Sequence, residues 1–203
     1  MSLTAFQLFS SGAYELGLIV EAILASIIAS YVFYLLVVLL KSQSDKAAIQ
    51  PYIAKHTTRV VGDCQNQLLE ISRVTGIDIS LANASIESVT EAFRKIAPYS
   101  DAPLIISPPS VHANWFQYFW HHRNRSRQGI SRLFAQLPYV DADLVSLLAA
   151  VDDCSHFYQI EVLQSITVKK DLSAFASTFY DYCELCRKLN EYRENHALGP
   201  IPD

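Results

Sequence analysis

One apolar stretch near the N-terminus constrains this chain more than any other feature. Residues 16–40 read LGLIVEAILASIIASYVFYLLVVLL, which is 25 residues with Glu21 as the single charged side chain. A helix of about 20 apolar residues spans the ~30 Å hydrocarbon layer of a bilayer. The stretch has no basic segment before it, and it exceeds the roughly 7–15 apolar residues of a cleaved signal peptide. We therefore predict a retained single transmembrane helix over 16–41, preceded by a short N-terminal tail, 1–15.

The charges that flank this stretch predict its orientation. No Lys or Arg precedes it, whereas Lys41, Lys46, Lys55 and Arg59 follow it closely. Lys and Arg are enriched on the cytoplasmic side of membrane helices. We therefore expect a single-pass protein of the inner (cytoplasmic) membrane, with its C-terminal domain in the cytoplasm.

Glu21 within the predicted span requires an explanation, because an ionisable group inside a bilayer costs a few kcal/mol unless it is neutralised or paired. On a helical wheel it shares one broad face with small residues: Gly17, Ala22, Ala25, Ser26 and Ala29. Small residues let two helices approach closely, and a polar group can bond across their contact. This face predicts a homo-oligomer and leaves a pore open as a narrower hypothesis. The alternative is that Glu21 reaches the interface and the small residues have no role.

The remainder of the chain, 42–198, predicts an all-α cytoplasmic domain. Apolar residues recur at three- and four-residue steps, and Gly is rare, which favours helices over strands. We predict a four-helix-bundle-like domain with one extra short helix, followed by a tail, 199–203. The expected helices are 44–75 ending at Gly76, a short one capped by Ser85, one from Ser110 to Pro138, and two capped by Asp141 and Asp171. Pro51 is expected to bend or interrupt the first, and 101–110 is expected to be a proline-fixed connection.

The segment HHRNRSR, 121–127, places arginines where the apolar stripe of a helix should continue. No Asp, Glu or Lys occurs between Asp101 and Asp141, although the net charge of the chain is −4. Buried, unpaired guanidinium groups are very costly, so these arginines need anionic partners. The sequence predicts an anion- or partner-binding site for nucleic acid, a nucleotide or an anionic lipid, made by Arg123, Arg125, Arg127, Arg132, Trp115 and Trp120. The alternative is a set of ion pairs to Asp152, Asp153 and Glu161.

Cys183 and Cys186 form a CxxC pair, which together with Cys154 and His156 could provide four zinc ligands. The pair lies inside an amphipathic pattern, where cysteine usually acts as a small apolar side chain. We therefore predict free, buried thiols and no metal or cofactor. Neighbouring histidines at 121 and 122 point about 100° apart on a helix, so they cannot both face one ion.

The sequence contains no glycine-rich phosphate loop, GxSxG elbow or HExxH motif, so we expect a protein that is not an enzyme. Two functions remain. One is a membrane effector, such as a small bacterial toxin or phage-defence protein, whose cytoplasmic domain binds a protein partner and whose anchors associate to act on the bilayer. The other is a passive scaffold that recruits a cytoplasmic protein or nucleic acid through the arginine segment.

Overall fold

The computed structural model describes residues 3–107, 111–163 and 170–196. The chain divides into two compact units, 1–48 and 49–203, and the boundary lies seven residues beyond the one predicted. The first unit contains α1, Leu3–Phe33, followed by a π-helical segment, Tyr34–Leu39, and the start of α2, Leu40–Thr75. Every side chain from Leu16 to Ala48 is exposed.

The long N-terminal helix is apolar and long enough to cross a membrane. It begins earlier than predicted, because the segment expected to be an N-terminal tail is already helical from Leu3. That segment contains no proline, and residues such as Ala5 and Leu8 favour helix. In the π-helical segment the ladder widens, and the N–H of Leu40 donates to the carbonyl of Leu35, five residues earlier.

The second unit is mostly helical, and its core is formed by side chains from α2 and from all the later helices. Phe93, Trp115, Phe179 and Tyr182 are its largest fully buried aromatic side chains. The elements after α2 are α3 (Ile86–Arg94), β1 (Asp101–Ser107), β2 (Val111–Asn114), α4 (Trp115–Phe134), α5 (Ala142–Asp152), α6 (Ser155–Leu163) and α7 (Ala176–Asn195). Short 3-10 turns cover Leu137–Tyr139 and Ser173–Phe175.

Several predicted helix ends are confirmed by their hydrogen bonds. Gly76 follows α2 with a φ of 70°, and its N–H donates to the carbonyl of Ser72 over 2.9 Å. The Ser85 hydroxyl accepts from the N–H of Ser88 at the start of α3, and the Asp141 carboxylate does the same for Leu144. Pro51 was expected to bend or interrupt α2, and the interruption is absent, since the helix continues through residue 51. Proline lacks a backbone N–H, so Pro51 removes one hydrogen bond of the helix without ending it.

The connection predicted over 101–110 is wrong where the structure describes it. Residues 101–107 form β1, which pairs antiparallel with β2 in a two-stranded sheet with an irregular register. Ile105 lies opposite His112, and Ile105 and Ile106 are β-branched residues that favour extended backbone. Pro103 is compatible with a strand here because both strands of a two-stranded sheet are edges. The fold is therefore mostly helical rather than all-α.

Three predicted helices also have different boundaries. The helix expected from Ser110 begins at Trp115, where the Asn114 side chain accepts from the N–H of Gln117 and forms a capping box. The helix expected from Asp141 onwards is two helices, α5 and α6, separated at Asp153 and Cys154. The last helix begins at Ala176, and Asp171 does not cap it. The Asp171 carboxylate instead accepts from the N–H of Ser173, at the start of the preceding 3-10 turn. The predicted tail, 199–203, lies outside the described residues.

Candidate functional site

The predicted arginine segment lies on the middle of α4, and the structure gives each of its three arginines a carboxylate partner. Arg123 pairs with Glu161 of α6, Arg125 with Asp63 of α2, and Arg127 with Asp152 of α5. A carboxylate within 4 Å compensates most of the charge of a guanidinium group. The segment therefore holds four helices together through ion pairs.

Asp63 is the centre of this arrangement, and its side chain is only 1% exposed. The Nε of Arg125 lies 3.0 Å from one carboxylate oxygen, and the Nδ1 of His122 lies 3.7 Å from the same oxygen. The hydroxyl of Ser126 donates to the other oxygen over 3.4 Å. We call Asp63, His122, Arg125 and Ser126 the Asp63 cluster. It is a largely buried polar contact between α2 and α4.

Asp63 was not predicted as a partner, because the acids expected to pair with the arginines all lie after them, in the segment 152–161. A signal was available in the pattern of α2. Val60, Cys64 and Leu68 define its buried face, and Asp63 falls on that face. A carboxylate on an apolar face needs a cation, and only a distant part of the chain could supply one.

Two of the ion pairs predicted by the alternative interpretation are present: Arg123 pairs with Glu161, and Arg127 pairs with Asp152. Arg123 is almost fully buried, and its guanidinium carbon also lies 4.8 Å from the ring centroid of Trp120. The Nε of Arg127 lies 2.8 Å from Asp152, and this hydrogen bond raises the pKa of Arg127 above its ordinary value. Among the described residues the third expected acid, Asp153, forms no ion pair with these arginines, although its charge also acts on Arg127.

The two tryptophans expected to help bind a partner have different surroundings. Trp115 is fully buried against Tyr118 and Phe119, so its ring is not accessible to a base or a headgroup. In this structure Trp115 contributes its large apolar surface to the core instead of presenting it for binding. Trp120 is half-buried, and Arg123 lies over its ring.

Arg132 is separate from the other three arginines. It lies near the end of α4, it is exposed, and within the described part of the chain it has no carboxylate within 4 Å. Its positive charge instead acts on His56 of α2, together with the charges of Arg59 and Lys55. The predicted four-arginine site is therefore divided into an ion-paired part and a part without acidic partners.

The four cysteines pack in the core as predicted. Cys64, Cys154, Cys183 and Cys186 are all free and buried, and the sulfurs of Cys64 and Cys183 lie 3.8 Å apart. Burial raises the pKa of Cys154 to about 11, which keeps it a thiol at neutral pH. Within the described ranges, no three side chains of His, Cys, Asp or Glu are placed to share a metal ion.

His156 is a buried imidazole in an aromatic environment. It stacks on Tyr182 and meets Phe119 and Phe179 edge-on, and neither ring nitrogen has a hydrogen-bond partner among the described residues. Burial lowers its pKa to about 3, so the ring is neutral in the folded protein. Beside it is a very small cleft of about 10 Å³, partly open to solvent, whose wall includes Phe116.

The predicted membrane-helix face lies on α1 of the first unit. Its six residues, Gly17, Glu21, Ala22, Ala25, Ser26 and Ala29, belong to one uninterrupted helix, and their side chains are exposed. Among the described residues Glu21 has no ion pair, and apart from its sequence neighbours and the backbone of its own helix no atom lies within 4 Å of where a Cβ on Gly17 would be. Among the residues that the structure describes, this face has no partner.

Comparison with protein-family models, with curated protein sequences and with solved structures finds no match for this chain.

Proposed function

We propose that the protein is a non-enzymatic, single-pass membrane effector of the toxin or phage-defence type. In this proposal α1 and the segment after it anchor the chain in the inner membrane, and the second unit is a cytoplasmic, four-helix-bundle-like domain that binds a protein partner. Association of the anchors then transmits binding to the bilayer. The scaffold function is the alternative against which the experiments below are designed.

The observation that carries the proposal is the exposed apolar stretch from Leu16 to Leu40, in which Glu21 is the single acid. From Leu16 to Leu40 no side chain is buried by the rest of the chain. Exposing this apolar surface to water would cost about 25 cal/mol per Å². Insertion into a bilayer removes that cost. A passive anchor has no use for an intramembrane carboxylate, whereas an associating helix can bond Glu21 to a neighbouring copy.

The orientation is supported by the basic residues Lys41 and Lys46, which are exposed and follow the apolar stretch directly. Reporter fusions at Asp203 test it. A fluorescent protein that matures in the cytoplasm should be bright, and alkaline phosphatase at the same site should be inactive. Active phosphatase without fluorescence would reverse the proposed topology.

Association is tested by enlarging the small residues of the face. Ala25→Leu or Ala29→Leu should separate the helix backbones and weaken their association by about 1 kcal/mol. The crosslinked fraction in native membranes should therefore fall several-fold. Ile27→Phe adds volume on the opposite face and is the matched control. Glu21→Gln keeps a hydrogen-bonding group and removes its ionisation.

A growth or dye-entry assay on overexpression connects association to function. If the effector proposal holds, the leucine variants lose the permeability or growth phenotype together with the crosslink, and Ile27→Phe retains both. Unchanged crosslinking in the leucine variants would refute the associating face. Normal oligomers without any effect on growth or permeability would favour the scaffold instead.

A further inference from the structure

Three basic side chains of the second unit gather where α2 and α4 meet. Lys55 and Arg59 lie on α2 and Arg132 lies on α4, and each acts on the buried His56 between them. Within the part of the chain that the structure describes, none of the three has a carboxylate within 4 Å. This differs from Arg123, Arg125 and Arg127, which all have one. We call Lys55, His56, Arg59 and Arg132 the His56 cluster.

The close approach of the two helices explains why these charges meet. A Cβ placed on Gly129 of α4 would lie 3.4 Å from Cγ2 of Val60 and 3.9 Å from the carbonyl oxygen of His56. Glycine at this position therefore brings α4 against α2 at His56. Arg132 follows Gly129 by one helical turn, which places it on the same side of α4.

The polar groups of the cluster are incompletely bonded. His56 is only 5% exposed, and its Nδ1 is buried without a hydrogen-bond partner. The Nε of Arg59 is also buried without one. The ring of Tyr52 lies edge-on to His56 at 4.4 Å and borders the cluster on α2. Buried donors without partners cost about 1–3 kcal/mol each, so a ligand that accepts from them would be strongly favoured.

The electrostatics of the cluster point in the same direction. Burial lowers the pKa of His56, and the positive charges of Arg132, Arg59 and Lys55 lower it further. No anion of the described chain offsets these charges, although the whole protein carries a net charge of −4. An acidic protein that leaves three cations together has local attraction for an anion.

We propose that Lys55, Arg59 and Arg132 bind a phosphate group, with Nδ1 of His56 as an additional donor. A phosphate monoester suits the cluster better than a carboxylate, because its charge of about −1.5 to −2 and its three outer oxygens can be shared among several cationic donors. The phosphate can belong to a lipid headgroup or to a soluble phosphate ester, and both present the same chemistry. The proposal does not depend on anchor association.

The full-length protein in dodecyl maltoside micelles, which contain no phosphate, is the material for the test. Native mass spectrometry counts adducts with inorganic phosphate in one arm and with phosphatidic acid in the other, with phosphatidylcholine for comparison. Adducts with inorganic phosphate identify a soluble-phosphate site. Adducts with phosphatidic acid alone identify a lipid-headgroup site, and either result supports the proposal.

The double variant Lys55→Gln/Arg132→Gln removes two exposed cations of the cluster and should weaken binding by about 100-fold, roughly tenfold per charge-assisted contact. The matched control, Arg94→Gln/Lys188→Gln, removes the same charge from exposed positions elsewhere and should bind within about twofold of wild type. Tryptophan fluorescence checks that both variants are folded. The proposal is refuted by absence of both adducts, by wild-type binding in the cluster variant, or by equal losses in the two variants.

Discussion

Replacing Arg125 by Gln should destabilise the second unit more than replacing its partner, although both changes break the same ion pair. Asp63 is 1% exposed and Arg125 is 41% exposed. In Arg125→Gln the carboxylate stays buried without its guanidinium partner. In Asp63→Asn the guanidinium can turn into water, and the amide retains the shape of the site.

The magnitudes follow from this difference in burial. Removing one partner of a buried ion pair costs about 3–5 kcal/mol, and we expect about 3 kcal/mol for Arg125→Gln because Ser126 and His122 still contact Asp63. Asp63→Asn should cost about 1 kcal/mol, the value of one hydrogen bond. The double variant should also cost about 1 kcal/mol, since no buried charge remains. Arg127→Gln, which breaks a half-exposed pair, should cost less than about 1 kcal/mol.

Urea unfolding in maltoside micelles measures these costs. Both tryptophans of the chain lie on α4, so their fluorescence reports on the second unit alone. The four variants share one baseline, and the double variant gives the coupling energy directly. If Asp63→Asn proves the more destabilising single change, or if the double variant is as unstable as Arg125→Gln, the reasoning from burial is wrong.

Three further predictions use the same unfolding assay. His156 has an ordinary pKa of 6.5 and a folded pKa of about 3, so its contribution to the free energy of unfolding is present above about pH 6.5 and is lost as the pH falls towards 3. His156→Phe should therefore flatten this decline of stability with falling pH. An unchanged slope would contradict the prediction. Gly129→Val should push α4 away from Val60 and cost about 1–3 kcal/mol of stability. Gly62→Ala, in open space on α2, should instead stabilise by about 0.5–1 kcal/mol. Equal effects of the two substitutions would exclude the close approach of α4 to α2 at Gly129. Ser85→Ala should cost about 1 kcal/mol through loss of the α3 cap, and an unshifted midpoint would show that the cap is unimportant.

Local sequence signals predicted the features that depend on neighbouring residues. Gly76, Ser85 and Asp141 mark helix ends because the hydrogen bonds that define a cap span only two to five residues. The apolar stretch of α1 is equally local. These signals identified the helical segments of the chain, apart from the division between α5 and α6.

The features that were predicted wrongly or not at all depend on tertiary contacts instead of neighbouring residues. The division at Cys154 separates two segments with the same apolar period, and it leaves Tyr158 of α6 exposed where one continuous helix would bury it. The hairpin depends on pairing between β1 and β2, which no single segment shows. Asp63 meets Arg125 from 62 positions earlier in the chain, so spacing alone could not pair them.

The buried cysteines make this protein well suited to site-directed chemical labelling. All four thiols are shielded, and a thiol must ionise and be accessible before a maleimide can attack it. The wild-type chain therefore has a low background without any cysteine being removed. A single new cysteine at an exposed site, such as Tyr158→Cys, would carry a spin label or a membrane-impermeant probe alone. The orientation of the folded protein in intact cells thus becomes measurable with one substitution.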